Sequence, residues 1–251
     1  MSSTGPDRRA RAERMRKDRE RAGRRRRNRI TAAIVAAVVI LVGVAAIAIG
    51  TASDDGSPSE WEGFPADGIV YDQKAATGES SNDSPVGVVV YEDFQCPHCA
   101  AFEMETRELV SDYVEDGTIR VAYEPMNYID QGMGGSTEYS MRAANAATCV
   151  YDEGGGQAFQ DFSELLFDNQ KAEGTAGFND QELTAYADEA GVDDLGSCLV
   201  ELPHQKEIEK RTRDFATSEV GENGTPAVVV DGERLPSPSA DALREAIEDA
   251  A

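Results

Sequence analysis

Basic residues are scarce over most of this chain. Of its 24 Lys/Arg and 47 Asp/Glu, the first 29 residues hold 13 and 4, which leaves 11 basic and 43 acidic residues for the rest. Nucleic-acid binding requires Lys and Arg clustered on the exposed domain, where they neutralise phosphates. The acidic majority of the chain therefore predicts that it does not bind nucleic acid.

Cysteine and histidine are also few, with four and two in the whole chain. A c-type haem site needs a histidine directly after C-x-x-C, but here Ala100 follows Cys99. A zinc site would need two more ligands at matching spacing, and Cys149 and Cys198 do not form a second C-x-x-C pair. The sequence thus predicts neither a metal site nor a bound cofactor.

The motif that is present is Cys96-Pro97-His98-Cys99. It follows the β-branched run Val86–Tyr91 and precedes the helix-forming run Ala100–Met104, so it lies where a strand passes into a helix. Two thiols at the first turn of a helix can cycle between dithiol and disulfide, and the helix N-terminus favours a thiolate on the first sulfur. A purely structural disulfide is the alternative, but the placement favours a redox centre.

Different roles follow for the residues of this motif. We expect Cys96, at the helix N-terminus, to be the exposed sulfur that substrates attack, and Cys99, one turn further in, to be buried. The imidazole of His98 is expected to stabilise the Cys96 thiolate, and Pro97 completes the catalytic motif. The other histidine, His204, lies in a charged stretch and is predicted to be an ordinary surface residue.

The N-terminal part of the chain predicts a membrane anchor. Residues 30–49 carry no charge, and at about 1.5 Å per residue a helix of this length spans about 30 Å, the thickness of a bilayer core. The basic tail, residues 1–29, should stay cytoplasmic and place the rest of the chain outside a single-pass plasma-membrane helix. A cleaved signal peptide, with Ala46-Ile47-Ala48 as the cleavage site, is the alternative, and twin-arginine export is a minor one.

The remainder of the chain is predicted to form a linker and one domain. Residues 50–67 are rich in Ser, Asp, Gly and Pro, and Trp61 and Phe64 within them could dock on the membrane or on the domain. The domain, 68–251, has the order β-α-β, a helical block at about 130–219, then β-β-α. Strands are predicted at Gly68–Tyr71, Val86–Tyr91, Thr118–Tyr123, Ala227–Val230 and Arg234-Leu235, and helices of the block at Glu138–Tyr151, Gln157–Gln170, Asp180–Ala190 and Pro203–Thr217.

The stretches Tyr91–Cys99 and Gly224–Ala227 carry a family resemblance. With this order of elements, residues 66–250 resemble an α/β thioredoxin fold with an inserted helical subdomain, as in the DsbA-like thiol-disulfide oxidoreductases. The resemblance implies an extracytoplasmic thiol oxidase that introduces disulfide bonds into exported proteins. It also implies a membrane partner of the DsbB or vitamin K epoxide reductase type that reoxidises the pair, and a monomer.

The same resemblance assigns roles outside the motif. It implies that Pro226 is a cis-proline opposite the cysteines, and that Thr225 offers backbone groups to an extended substrate. Related proteins often carry a buried acid six residues before the first cysteine, where this chain has Val90. Glu92 shares the strand face of Val90 and is the candidate proton shuttle in its place, although Glu92 and Asp93 could equally be solvated acids at a strand end.

The other two cysteines, Cys149 and Cys198, both fall in the helical block. Because unpaired thiols are uncommon outside the cell, we expect them to form a structural disulfide. A second redox pair that relays electrons from Cys96 and Cys99 is the alternative. Two other functions also stay open: a reductase or isomerase with the same fold, and a tethered binding module without redox activity.

Overall fold

The described part of the chain begins after the predicted anchor. The computed structural model describes Pro65 and residues 68–79, 85–135, 137–193 and 195–251. The predicted tail at 1–29, the predicted membrane helix at 30–49 and the aromatic residues Trp61 and Phe64 of the linker lie outside the described residues. None of the described helices is both long and apolar enough to cross a membrane.

A mixed sheet of five strands forms the centre of the domain, in the order β1-β3-β2-β4-β5. Strands β2 and β3 are parallel, whereas the β1–β3, β2–β4 and β4–β5 pairs are antiparallel. The strands are β1 (Ile69–Tyr71), β2 (Val86–Glu92), β3 (Ile119–Pro125), β4 (Ala227–Val230) and β5 (Glu233–Arg234).

The predicted β-α-β unit is confirmed. Strand β2 is a valine-rich run whose residues are buried on both faces of the sheet, as expected for a central strand. The chain then enters the active-site helix, Pro97–Glu115, with Cys96 as its N-cap. Proline suits this first helical position because the amide hydrogen that it lacks would have no partner within the helix. The helix N-terminus therefore meets the carboxyl end of the central strand.

The predicted hairpin and the C-terminal helix are confirmed as well. Asp231 and Gly232 both have positive φ angles, 45° and 87°, as a type I′ turn requires, and they join β4 to β5. The last helix runs over Ala240–Ala250, and the hydroxyl of Ser239 accepts a hydrogen bond from the N–H of Ala242 at its start.

A block of helices lies between β3 and β4. Its longest element, Tyr139–Asp168, covers two helices that the sequence predicts separately, and it breaks at Gly155, where φ is 76°. At the next position a side chain would collide with the carbonyl oxygen of Val70, so Gly156 lets the helix approach β1 closely. The other helices of this block are Tyr128–Gly132, Asp180–Glu189, Gly196–Glu201 and Gln205–Ala216.

Short helices are the main departure from the predicted elements. The helix predicted to begin at Pro203 begins at Gln205, and a separate helix, Gly196–Glu201, precedes it. Leu202 separates the two with a left-handed conformation, φ 46°. The sequence analysis also missed Gln73–Thr77 and Tyr128–Gly132, because helices of five residues are too short to show a helical period.

The predicted pairing of Cys149 with Cys198 is confirmed, and this disulfide ties Tyr139–Asp168 to Gly196–Glu201 with a Cα–Cα distance of 6.5 Å. The buried Asn145 side chain donates to the carbonyl oxygen of Cys198 at 3.1 Å and accepts from the N–H of His204 at 3.1 Å. The prediction that His204 is an ordinary surface residue is wrong, because its half-buried ring lies 3.1 Å from Asp152.

Candidate active site

Cys96 lies at the junction between the central strand and the active-site helix. Its carbonyl oxygen accepts the first hydrogen bonds of the helix, from the N–H groups of Cys99 at 3.1 Å and Ala100 at 3.2 Å. Its own N–H donates to the carbonyl oxygen of Asp93 at 2.9 Å. Both thiols of the motif are free, so the structure shows the dithiol form.

The expected contrast in exposure between the two cysteines is wrong. Cys96 is 4 % exposed and Cys99 is 2 % exposed, so both are buried. The Thr225 carbonyl oxygen lies 3.4 Å from the Cys96 sulfur and contributes to its cover. The exposed residues of the motif are Pro97 and His98.

The two sulfurs differ instead in acidity. The pKa of Cys96 is lowered to about 6, mainly by a hydrogen bond from the Cys99 thiol and against the opposing effect of burial. Hydrogen bonds from the Thr225 side chain and from the main-chain N–H groups of Cys99 and His98 contribute to the same lowering. Burial, followed by the hydrogen bond to Cys96, raises the pKa of Cys99 well above its usual value. At neutral pH the structure therefore favours a Cys96 thiolate beside a protonated Cys99.

The Thr225-Pro226 peptide bond is cis, as the resemblance implies, and this segment faces Cys96. The Thr225 carbonyl accepts a hydrogen bond from the thiol form of Cys96, whereas its side chain stabilises the thiolate form. Both residues are half-buried, and they immediately precede β4, which pairs with the central strand. The structure thus brings together two motifs whose residues, Cys96 and Thr225, are 129 positions apart in sequence.

His98 acts on Cys96 through its main chain in this structure. Its N–H is one of the donors that lower the pKa of Cys96. The His98 residue itself is exposed. The expected effect of the imidazole itself therefore stays a prediction.

Glu92 and Asp93 are buried, 2 % and 0 % exposed, so the alternative of solvated acids is wrong. Burial, with the charges of Glu103 and Asp93 added, raises the pKa of Glu92 well above its usual value. Burial also raises the pKa of Asp93 to about 7, although the N–H groups of Ile129 and Gln95 donate to its carboxylate at 2.9 and 2.8 Å.

A third buried acid, Glu103, was missed by the sequence analysis. Burial, and then the charge of Glu164, raises the pKa of Glu103 to about 7, although Arg107 lies 3.7 Å away. Glu103 follows Cys99 by four residues, so both lie on one face of the helix. This spacing is the sequence pattern from which a carboxyl group on the same face as Cys99 could have been predicted.

These buried carboxyl groups predict that the oxidised protein loses stability as the pH rises. Because the folded-state pKa values of Asp93 and Glu103 are raised to about 7, their contribution to stability is present below the unfolded-state values and is lost as the pH rises through about 7. Each unit of pKa difference corresponds to at most about 1.4 kcal/mol. Denaturant unfolding should therefore give a larger free energy at about pH 5 than at about pH 8.

Two controls isolate this effect. The oxidised form removes the titration of Cys96 and Cys99, and high salt screens repulsion among surface acids. Glu103→Gln should reduce the pH dependence without abolishing it, because glutamine does not titrate whereas Asp93 still does. A parent protein that is equally stable at both pH values in high salt would contradict the prediction.

No metal centre is formed by the described residues, since no three His, Cys, Asp or Glu side chains among them cluster in a way that could hold an ion. The chemistry that these residues offer is thiol-disulfide exchange, with two thiols of opposite acidity beside buried carboxyl groups.

The chain is similar to known proteins of the thioredoxin type. A family model described as Thioredoxin matches residues 73–249. The reduced disulfide bond oxidoreductase DsbG of Mycobacterium tuberculosis is 29% identical with a TM-score of 0.62, covering 74% of this chain and 88% of its own. Reduced DsbA from the same organism is 32% identical with a TM-score of 0.57, covering 73% of this chain and 91% of its own.

The curated relatives are of two kinds. A probable disulfide bond formation protein D of Bacillus anthracis is 25% identical over 72% of this chain and 79% of that protein. The first relatives matched are two Na⁺/H⁺ antiporters of Salinispora species, each 28% identical, and this chain spans about a fifth of their length, 22% and 21%.

Proposed function

The chain belongs to the thioredoxin family, with DsbA-type and DsbG-type oxidoreductases as its structural neighbours, and from this we propose that it oxidises pairs of thiols in exported proteins. The observation that carries the proposal is the contrast between Cys96, with a lowered pKa, and Cys99, with a raised pKa, opposite the cis Thr225-Pro226 bond.

The reaction would proceed in two exchanges. A substrate thiolate attacks Cys96 Sγ of the oxidised pair, the bond between Cys96 and Cys99 breaks, and Cys99 leaves as a thiolate that takes up a proton. The second substrate thiolate then attacks the substrate sulfur of the mixed disulfide, and Cys96 leaves as a thiolate. The substrate loses two electrons and gains a disulfide, while the protein becomes the dithiol that the structure describes.

The direction of the reaction follows from the stability of the Cys96 thiolate. A thiolate that is stabilised in the reduced protein makes a good leaving group and makes reduction of the pair favourable. The pKa of Cys96, lowered to about 6, therefore predicts that the pair acts as an oxidant. Thr225 would offer its backbone to an extended segment of the substrate.

Glu92 is proposed as the proton acceptor for Cys99 during reoxidation. Its charge is one of the causes that raise the pKa of Cys99, and its Oε1 has no hydrogen-bond partner among the described residues. We expect Glu92→Gln to slow reoxidation of the dithiol about tenfold, because glutamine cannot take the proton. Stopped-flow mixing with a small disulfide oxidant, such as oxidised glutathione, measures this rate.

Glu103→Gln is the comparison for this variant, since Glu103 does not appear among the causes that act on Cys99 and reaches the site only through the pKa of Glu92. We expect Glu103→Gln to change the rate much less than Glu92→Gln does, because it leaves the accepting carboxyl group in place. Equal reoxidation rates in the parent and in Glu92→Gln would rule out Glu92 as the proton acceptor.

The remaining parts of the proposal concern location. The tail at 1–29, the membrane helix at 30–49 and the linker at 50–67 are proposed to hold the domain at 68–251 outside the plasma membrane. There, a membrane protein of the DsbB or vitamin K epoxide reductase type would reoxidise the pair, and the chain would act as a monomer. The relatives named as disulfide oxidoreductases support this context.

A stoichiometric transfer experiment tests the proposal. The oxidised full-length chain is mixed with a reduced, unfolded ribonuclease, and free thiols are counted on both proteins. We expect the substrate to lose two thiols while Cys96 and Cys99 become alkylatable. Transfer only in the opposite direction, from a disulfide-bonded substrate to the reduced chain, would favour a reductase, and no transfer in either direction would favour a binding module.

A further inference from the structure

The segment that leads into Cys96 is held by the helical block. The side chain of Gln170, just after the end of the Tyr139–Asp168 helix, reaches this segment, and its Nε2 donates to the carbonyl oxygens of Phe94 and Cys96, both at 3.0 Å. Because Gln170 is 74 and 76 positions away in sequence, these are contacts between the block and the strand-helix junction.

Gln95, the residue between Phe94 and Cys96, makes further hydrogen bonds between this segment and the helical block. Its Oε1 accepts from the N–H of Gly174 at 2.7 Å, and its Nε2 donates to Asp130 at 3.1 Å and to Ser140 at 2.9 Å. Gln95 is fully buried, so these bonds replace those it would make with water. Three residues of the block, Asp130, Ser140 and Gly174, thus hold the Gln95 side chain beside the reactive cysteine.

We propose that Gln170 is a positioning residue that keeps the Cys96 sulfur aligned with the first turn of the active-site helix and with Thr225. The carbonyl group of Cys96 is shared by three donors, namely Gln170 and the N–H groups of Cys99 and Ala100. Such a carbonyl cannot rotate without breaking several bonds, and its peptide plane sets the direction of the Cα–Cβ bond that carries the sulfur.

The consequence is that the helical block acts on the reactive thiol through the main chain. The donors that stabilise the Cys96 thiolate are fixed in the helix and at Thr225, so their hydrogen bonds depend on where the sulfur lies. Loosening the segment should lengthen these bonds and leave the thiolate less stable. This inference deepens the proposed function, because a less stable thiolate makes a weaker oxidant.

Gln170→Leu tests the proposal, since leucine has a similar size but no donor. The matched control is Asn169→Ala, which removes the neighbouring exposed amide, whose Nδ2 donates to the carbonyl oxygen of Leu165 within its own helix. The readout is the thiolate absorbance of the reduced full-length chain during a pH titration. We expect Gln170→Leu to raise the Cys96 titration midpoint by about half a unit to one unit, a three- to tenfold fall in its acid dissociation constant.

Gln170→Ala gives an independent reading, because it removes the donor to both carbonyl oxygens without adding a charge near Cys96. We expect its shift to have the same direction as that of Gln170→Leu, with Asn169→Ala unchanged. Midpoints of folded Gln170 variants that match the parent, or a shift equally large in Asn169→Ala, would overturn the proposal. Should one Gln170 variant fail to fold, as judged by thermal melting, the other decides the outcome.

The titration needs no substrate, so it separates this inference from the proposed function. A chain that fails to oxidise ribonuclease but shows the Gln170 shift would refute only the proposed function. A chain that oxidises ribonuclease but shows no shift would refute only the role of Gln170.

Discussion

Replacing Cys96 with serine is expected to reduce disulfide transfer to a protein substrate to the uncatalysed rate. The attack, the mixed disulfide and the departure of the thiolate all involve the sulfur of Cys96, and a serine hydroxyl supports none of them. Recovery of activity by reduced ribonuclease, followed over time with the oxidised chain, measures the rate.

Cys99→Ser is the matched control, because it removes one sulfur of the same pair and leaves the thiolate of Cys96 in place. Mixed with a disulfide-bonded substrate, this variant should accumulate a mixed disulfide, because the Cys96 thiolate attacks the substrate disulfide, releases one substrate thiolate, and Cys99 is absent to resolve the product. The complex is visible as a higher-mass band on a non-reducing gel and disappears on reduction. A Cys96→Ser protein that matches the parent rate would contradict the enzymatic function altogether.

Removing the disulfide between Cys149 and Cys198 is expected to cause the largest loss of stability. The bond closes a loop with a sequence separation of 49 residues. In the chain-entropy model such a loop is worth about 4 kcal/mol, an upper figure because the reduced chain retains some structure. We expect a double Cys149→Ser, Cys198→Ser variant to lose up to this amount in denaturant unfolding while it keeps disulfide exchange below its melting temperature.

The same variant distinguishes a structural disulfide from a redox relay. In the structure, Asn145 donates to the carbonyl oxygen of Cys198 at 3.1 Å, and this bond to the main chain, which the variant keeps, helps to hold the two helices together. A folded double variant that has lost exchange would favour the relay. Unchanged stability would contradict the structural role.

Local patterns account for much of the fold. The β-branched run before Cys96 predicts the central strand, and the turn residues Asp231 and Gly232 predict the hairpin with the φ angles that the structure shows. The Cys96–Cys99 motif and the Thr225-Pro226 motif could be paired through the family resemblance, which implied that Pro226 lies opposite the cysteines. The structure places the Cys96 sulfur 3.4 Å from the Thr225 carbonyl oxygen, across 129 positions of sequence.

Long-range burial is what the sequence could not supply. Glu92 and Asp93 have the composition of a solvated strand end, yet the helical block and the active-site helix cover them. Cys96 is also buried rather than exposed, and the Thr225 carbonyl oxygen, distant in sequence, lies 3.4 Å from its sulfur. The hydrogen bonds from Gln170 to the carbonyl oxygens of Phe94 and Cys96 depend on how the helical block packs against this segment. No local sequence pattern predicts such packing.

The reduction potential of the Cys96 and Cys99 pair tests the oxidant function most directly. The full-length chain is equilibrated with glutathione buffers of known potential, and the fraction of dithiol is read by alkylation. The lowered pKa of Cys96 and the raised pKa of Cys99 predict an oxidising pair, with a potential above about −200 mV. A potential near that of thioredoxin, about −270 mV, would contradict it.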